Sequence, residues 1–270
     1  MMDAFKFFDA YSIRARLFPA IIAAAPAFAA LALLISWKTF GLSNTIASLG
    51  ILVLLYAVAD LSRNRGRRIE SEIYREQGGK PSIIMFRRND KTIDAGSKER
   101  YRYFLSGKLN ASVPTPEDEL ANQDLADAFY DQCGVWLRQN TRNTKAFPIL
   151  FGENVTYGFR RNLLGVKTFA LWLNVIVVVA CVFILWRLSW NIEIQQGNKA
   201  LVVLIVAAAH AAYMFLAVNR DAVRDASRAY ARELILSCES FLAPSTSPAR
   251  KTAARKTTLK KDNSAPPSAP

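Results

Sequence analysis

The stretch GFRRNLLGVKTFALWLNVIVVVACVFILW, residues 158–186, passes from clustered positive charge into a segment without a charged residue. Arg160, Arg161 and Lys167 stand directly before the uncharged window Thr168–Trp186. A helix rising ~1.5 Å per residue needs about 20 residues to cross the ~30 Å hydrocarbon layer of a bilayer. The length of the window and its basic flank therefore predict a membrane-spanning helix anchored at the lipid headgroups.

Three further windows without Asp, Glu, Lys or Arg have similar lengths: Leu17–Trp37, Thr39–Ala59 and Ala200–Asn219. Buried helices of soluble proteins usually keep a polar stripe, and these windows have none. The first window begins too late for a cleaved signal peptide and is followed by Lys38 and a second window, which favours a retained span. We therefore predict an all-α, multi-pass membrane protein with four transmembrane helices and a mainly helical cytosolic domain between spans 2 and 3.

The basic residues indicate the orientation of the chain. They precede span 1 (Lys6, Arg14, Arg16), follow span 2, precede span 3 and follow span 4, whereas the two short connectors carry only Lys38, Arg187 and Lys199. Cytoplasmic flanks of spans are enriched in Lys and Arg. Both termini and the long central segment are therefore predicted to be cytoplasmic.

The domain organisation follows from these segments. We predict an amphipathic N-terminal segment at 1–16, transmembrane hairpins at 17–62 and 168–219, a cytosolic helical domain at 63–167, a cytosolic basic helix at 220–243 and a disordered basic tail at 244–270. The helix of span 2 is expected to run on to Gly78-Gly79, and span 4 is expected to continue into the basic helix. The tail, rich in Lys, Ser, Ala and Pro, has too little apolar area to offset its ordering entropy.

The soluble part contains two further local predictions. The segment PSIIMFRR, starting at Pro81, is typical of a short strand or an extended docking segment. Residues 115–140 predict a helix capped by Thr115 and Asp118 with Pro116 in its first turn. An apolar face of that helix is expected from its larger apolar residues, namely Leu120, Leu125, Phe129, Val135 and Trp136.

Motifs for catalysis are nearly absent from the sequence. It has no HExxH motif, no Walker loop and no GxSxG elbow, and its one histidine, His210, lies within span 4. Cys133, Cys181 and Cys238 form no CxxC pair, which is typical of reduced thiols. We therefore predict no enzyme activity, no metal site and no cofactor.

Asn174 and His210 are strongly polar residues near the middle of spans 3 and 4. Polar side chains at that depth usually face the interior of a helix bundle. Either they form interhelical hydrogen bonds, or they line a pore. The sequence leaves both interpretations open.

Arginines are concentrated at the predicted cytoplasmic ends of the spans. Arg220, Arg224, Arg228 and Arg232 recur every four residues and so share a helical face. With the cluster after span 2 they predict a basic ring below the membrane, which would either hold anionic lipid or bind phosphates of a nucleotide or oligonucleotide. The candidate binding residues are Arg63, Arg65, Arg67, Arg68, Arg160, Arg161, Arg220, Arg224, Arg228 and Arg232.

The layout resembles the four-span membrane effectors of nucleotide-signalling anti-phage defence systems of bacteria. The resemblance covers most of 17–243 as architecture and includes the juxtamembrane run NVTYGFRRNLLGVK, ending at Lys167. It implies a cytosolic domain that senses a nucleotide messenger, and spans that form a homo-oligomer and permeabilise the cell inner membrane.

Two functions are consistent with these features. One is a ligand-gated, pore-forming or membrane-disrupting effector embedded in the lipid bilayer. The other is a non-conducting scaffold or sensor that tethers a cytosolic protein partner, for which the apolar face of the 116–139 helix would provide the contact.

Overall fold

The structure, a computed structural model, describes residues 9–34 and 44–243, with the backbone alone at 44–48. Every regular element within these ranges is a helix, which confirms the all-α prediction. In chain order the helices are α1 Ala10–Leu34, α2 Asn44–Glu76, α3 Pro81–Phe86, α4 Ala95–Leu109, α5 Pro116–Ala121, α6 Gln123–Asn140, α7 Pro148–Arg187, α8 Gln195–Leu216, α9 Arg220–Leu236 and α10 Cys238–Leu242.

Among the described residues, three helices are long and apolar enough to cross a membrane: α1, α7 and α8. Their length and composition indicate membrane localisation. The span predicted at 39–59 is helical from Asn44 onward, as the first part of α2, but its beginning lies outside the described residues, and its crossing of the membrane stays a prediction. The connector at Lys38, residues 1–8 of the predicted amphipathic segment and the predicted disordered tail at 244–270 also lie outside the described residues.

The three apolar helices pack together as a bundle. Small residues of α1, including Ala23 and Ala27, lie against the buried side of α7 and α8, which presents Val177, Cys181 and Val203. Large apolar side chains on the outside of the bundle are exposed: Trp172, Ile176, Val179, Phe183, Trp186, Ile205, Phe215 and Leu216. Such an outward-facing apolar surface is what lipid contact requires.

The remaining helices form a polar domain with its own hydrophobic core. Helices α3, α4 and α6 contribute Phe86, Tyr101, Tyr130 and other residues, and α9 and α10 complete the core with the buried side chains Ala231, Leu234, Ile235 and Cys238. The segment 220–243, predicted as a cytosolic basic helix, buries its apolar face in the core of this domain.

Three local predictions were wrong. Residues Pro81–Phe86 form a helix rather than a strand or extended segment. Span 4 does not run on into the basic helix, because the chain turns after Leu216 and Asn219 caps a new helix, accepting a hydrogen bond from the N–H of Ala222 at 2.8 Å.

The third correction concerns the helix expected at 116–139. It is broken at Asn122 into α5 and α6, and Leu120 and Leu125 are 89% and 69% exposed. Of the predicted face, Phe129 is buried and Trp136 packs against the core, and the buried side of α6 also carries Tyr130 and Cys133. The predicted cap was correct, since Thr115 and Asp118 form a capping box at the start of α5.

Two helices connect the bundle to the polar domain without a break. Helix α7 runs from Pro148 to Arg187 and α2 from Asn44 to Glu76, where the backbone leaves the helix before Gly78 and Gly79, both of which have positive φ. The predicted end of span 2 and the predicted start of span 3 fall inside these helices, as does the boundary at residue 17 inside α1. Two of the connections between the bundle and the polar domain are therefore continuous helices, whereas α8 and α9 are joined by a turn.

Candidate functional site

Helices α2 and α7 touch backbone to backbone where they leave the bundle. A Cβ at Gly165 would lie 2.6 Å from the carbonyl oxygen of Ser62 and 2.8 Å from the Cα of Gly66, and it would also meet the amide nitrogen of Gly66. The Ser62 hydroxyl donates to the carbonyl of Asn162 at 2.6 Å. This crossing, which we call the glycine crossing (Ser62, Gly66, Gly165), fixes α2 against α7.

The buried side chain of Asn162 links the glycine crossing to α1. Its Nδ2 donates to the carbonyl of Ala15 at 2.6 Å. Pro19 lies four residues after Ala15 and has no N–H, so the carbonyl of Ala15 lacks its ordinary helical donor. Asn162 supplies the missing hydrogen bond, as neighbouring helices do for prolines in membrane helices.

Asn174 and His210 form a second polar link deeper in the bundle. Asn174 Nδ2 donates to the carbonyl of Ala207 at 2.8 Å and lies 2.9 Å from His210 Nδ1. Because an amide N–H can only donate, this contact favours the tautomer with the proton on Nε2. That nitrogen has no partner of good hydrogen-bond geometry among the described residues, although the backbone of Ile22 lies next to the ring.

The carbonyl of Ile22 lacks its helical donor for the same reason as the carbonyl of Ala15. Pro26, inside α1, follows Ile22 by four residues and leaves its carbonyl without the helical donor. The imidazole of His210 therefore lies beside a second carbonyl freed by a proline. Asn174 and His210 are 4% and 7% exposed. They form a hydrogen bond between α7 and α8, as the interhelical interpretation predicts.

A buried polar cluster joins α2 and α7 beyond the glycine crossing, toward the polar domain. Arg161 NH1 lies 3.2 Å from Glu70 Oε2, and the hydroxyl of Tyr157 donates to the same carboxylate. The hydroxyls of Tyr74 and Tyr157 are 2.6 Å apart. Burial, together with the charge of Glu70, raises the pKa of Tyr74, so this phenol remains protonated at neutral pH.

The first two arginines of α9 in the predicted basic ring are paired with acidic side chains. Arg220 NH2 lies 2.8 Å from Glu76 Oε1, and Arg224 pairs with Glu76 at 2.9 Å and with Asp221 at 2.7 Å. The hydrogen bond to Asp221, with a smaller contribution from Glu76, raises the pKa of Arg224. Glu72 also approaches Arg220, at 3.6 Å.

Most of the arginines that follow span 2 are more exposed to solvent than the paired arginines of α9. Arg65, Arg67 and Arg68 are exposed on α2, and Arg67 donates to the side chain of Asn64 at 2.9 Å. Burial and the neighbouring charges of Arg16 and Arg67 lower the pKa of Arg63. The predicted arginines therefore do not form one uniform ring, because acidic side chains of α2 pair with some of them and leave others unpaired.

Arg228 and Arg232 face a cleft of about 560 Å³ between α9, the end of α2, α3 and the loop that follows α3. Its lining residues are Gln77, Pro81, Ile84, Met85, Asp90, Thr92, Arg228, Ala229 and Arg232. Arg160 lies away from it and donates to the carbonyl of Ala222 at 3.1 Å. We call this space the arginine cleft.

Sequence reasoning missed the partners of these arginines. Glu70, Glu72 and Glu76 lie on the helix that carries Arg63–Arg68, and nothing local pairs them with residues ninety or more positions away. For Asn162 the signal in the sequence was Pro19, whose missing N–H leaves a carbonyl of span 1 in need of a donor from a neighbouring helix.

Comparison with known proteins finds no matching protein family, no matching curated protein and no matching solved structure.

Proposed function

We propose that the protein is a ligand-gated membrane effector. In this proposal the polar domain lies on the cytoplasmic side, binds a nucleotide or another polyanion, and moves the spans so that the membrane becomes permeable. The observation that carries the proposal is the continuity of α7, which runs from the polar domain into the apolar bundle as one helix, Pro148–Arg187.

The contacts of α7 support mechanical coupling. On one side the glycine crossing holds α2, and on the other Lys167 Nζ donates to the carbonyl of Val218 at 2.7 Å. The ring of Tyr157 stacks on Tyr230 of α9 with centroids 6.0 Å apart. Because α9 lines the arginine cleft, a ligand that displaces α9 would act directly on the helix that enters the bundle.

The membrane context is part of the same proposal. The basic flanks of the apolar segments favour cytoplasmic termini. The resemblance in layout extends the proposal to a homo-oligomeric, pore-forming effector of anti-phage defence in the bacterial inner membrane. Leu52, Val53 and Leu54 are exposed on α2, where they would contact lipid or another copy of the chain.

The test measures membrane potential in bacterial cells during induced expression of the full chain, with a potential-sensitive dye. Induction should depolarise the cells. Arg161→Gln, which breaks the contacts to Glu70 and Tyr157, should suppress the depolarisation at least severalfold. Arg142→Gln removes the same charge from an exposed arginine and serves as the control, with membrane abundance matched by immunoblot.

An unchanged potential at matched abundance would contradict the effector proposal and favour the alternative of a non-conducting scaffold or sensor. A specific observation supports that alternative. Leu120, Leu125 and Val135 are exposed on α5 and α6, where a cytosolic protein partner would find an apolar contact surface.

A further inference from the structure

Arg228 differs from its neighbours on α9. Arg224 and Arg220, one and two turns earlier, pair with Glu76, whereas Arg228 is exposed and has no hydrogen bond or ion pair with any described residue. Arg232, one turn later, contacts only the adjacent Glu233 within the described ranges, at 3.1 Å. Two guanidinium groups with donors to spare therefore lie one helical turn apart at the mouth of the arginine cleft.

The opposite wall of the arginine cleft is fixed and partly apolar. Pro81, Ile84 and Met85 of α3 contribute the apolar part. The loop after α3 is held by Lys98, whose Nζ donates to the carbonyls of Arg87 and Asp90. A rigid wall of this kind reduces the entropic cost of binding a small molecule.

The polar groups of this wall differ in whether they already have hydrogen-bond partners. The Asp90 carboxylate accepts from the N–H of Thr92 at 2.9 Å and from its hydroxyl at 3.1 Å, so its oxygens are engaged locally. The side-chain oxygen of Gln77 is buried and has no partner among the described residues. The cleft thus offers unpaired cationic donors at one side and an unsatisfied amide acceptor at the other.

We infer that the arginine cleft binds a phosphate ester. The phosphate would lie against Arg228 and Arg232, because guanidinium forks bind phosphate bidentately. The organic part would pack on Ile84 and Met85, and a donor group on it would reach Gln77. The volume of about 560 Å³ falls within the range of small-molecule sites.

This inference rests on the proposed function, since it names the ligand class and the place where the effector would sense it. The same phosphate chemistry has two sources, a soluble organic phosphate and a lipid headgroup. The test distinguishes them with adenosine 5′-monophosphate as the soluble probe and phosphatidylglycerol as the lipid probe.

The experiment uses the purified full chain in a detergent free of phospholipid. Thermal denaturation is followed with adenosine 5′-monophosphate, with adenosine, and with micelles containing phosphatidylglycerol or phosphatidylcholine. We expect stabilisation by the phosphate-bearing monophosphate and none by adenosine. Arg228→Glu should weaken this binding at least about tenfold, and Arg228→Lys, which keeps charge but loses the fork, should weaken it less.

Lys145→Glu is the matched control, because Lys145 is exposed and remote from the cleft lining, and the charge change is the same. Each variant must denature at the wild-type temperature without ligand. Stabilisation by phosphatidylglycerol that Arg228→Glu removes would assign the phosphate to a lipid. Equal responses of wild type and Arg228→Glu to both phosphate probes, or no response to either, would overturn the inference.

The binding result is independent of the depolarisation result. Arg228-dependent binding by a protein that leaves the membrane potential unchanged would keep the site and remove the effector function. Depolarisation together with binding that Arg228→Glu leaves unchanged would keep the effector function and remove the site.

Discussion

Gly165 and Gly66 show how single residues set the join between the bundle and the polar domain. At Gly165 an added methyl group would meet backbone atoms of α2, namely the carbonyl of Ser62 and the Cα of Gly66. Backbone cannot rotate away as a flexible side chain can, so the two helices would have to separate. The glycine is required here by close approach and not by its conformational freedom.

Gly165→Ala should therefore destabilise the protein by about 1–3 kcal/mol, as overpacking does. Gly152→Ala is the matched control on the same helix, since a Cβ there meets nothing within 4 Å. It should stabilise α7 by about 0.5–1 kcal/mol, because alanine loses less backbone entropy than glycine in a helix. Thermal denaturation of both variants in detergent measures the difference, and equal shifts in the same direction would contradict the crossing.

Two prolines in α1 each leave a backbone carbonyl without its helical donor, and polar side chains of neighbouring helices lie beside both carbonyls. The carbonyl of Ala15, freed by Pro19, accepts from Asn162 of α7, and that of Ile22, freed by Pro26, lies beside His210 of α8. An unsatisfied buried acceptor costs about 1–3 kcal/mol, more than a typical net hydrogen bond contributes. The prolines thus make the position of α1 depend on polar side chains of the other two apolar helices.

A double-mutant cycle tests this dependence. Asn162→Leu should cost about 1–3 kcal/mol in the wild-type background, because the carbonyl of Ala15 loses its donor. It should cost less in Pro19→Ala, which restores an N–H four residues after Ala15. In Pro26→Ala the cost should be unchanged, since that proline frees a different carbonyl. Equal costs in all three backgrounds, measured by thermal denaturation, would show that Asn162 does not compensate for Pro19.

At the scale of the whole molecule, α9 and α10 complete the core of the polar domain, and we call this packing its closure. Leu234, Ile235 and Cys238 return to the polar domain after the chain has crossed the bundle and pack in the core with Cys133. The segment 63–167 is therefore an incomplete folding unit. Burial raises the pKa of the Cys133 thiol to about 12 and that of Cys238 to about 12, so both are poor nucleophiles in the folded chain.

This closure can be measured through thiol reactivity. A chain ending at Ala243 should protect Cys133 from a maleimide at pH 8, because the thiol is buried and almost wholly protonated. A chain ending at Asn219 lacks α9 and α10, so Cys133 should become exposed, its pKa should fall toward about 8.5 and its labelling should accelerate at least tenfold. Site-resolved mass spectrometry separates Cys133 from Cys181. Protection of Cys133 in the shorter chain would contradict the closure.

The sequence by itself determined the features that need no distant partner. Apolar length predicted the helices that are long enough to span a membrane, Thr115 and Asp118 predicted a helix start, and Gly78-Gly79 predicted the end of α2, because each signal acts within a few residues. Two predictions that required knowing the neighbours were wrong. Leu120 and Leu125 are exposed, and Pro81–Phe86 is helical where it packs on α6 and α9.

Only the tertiary structure decided which charges and polar groups meet. The acids at the end of α2 neutralise Arg220 and Arg224 but not Arg228, and Asn162 and His210 face carbonyls freed by prolines far away in the chain. Pairing of this kind depends on how helices cross, and side-chain periodicity gives the face of a helix but not the residue opposite it. The sequence therefore predicted a membrane protein with basic flanks, and the packing of its helices selected which arginines are paired with acidic side chains.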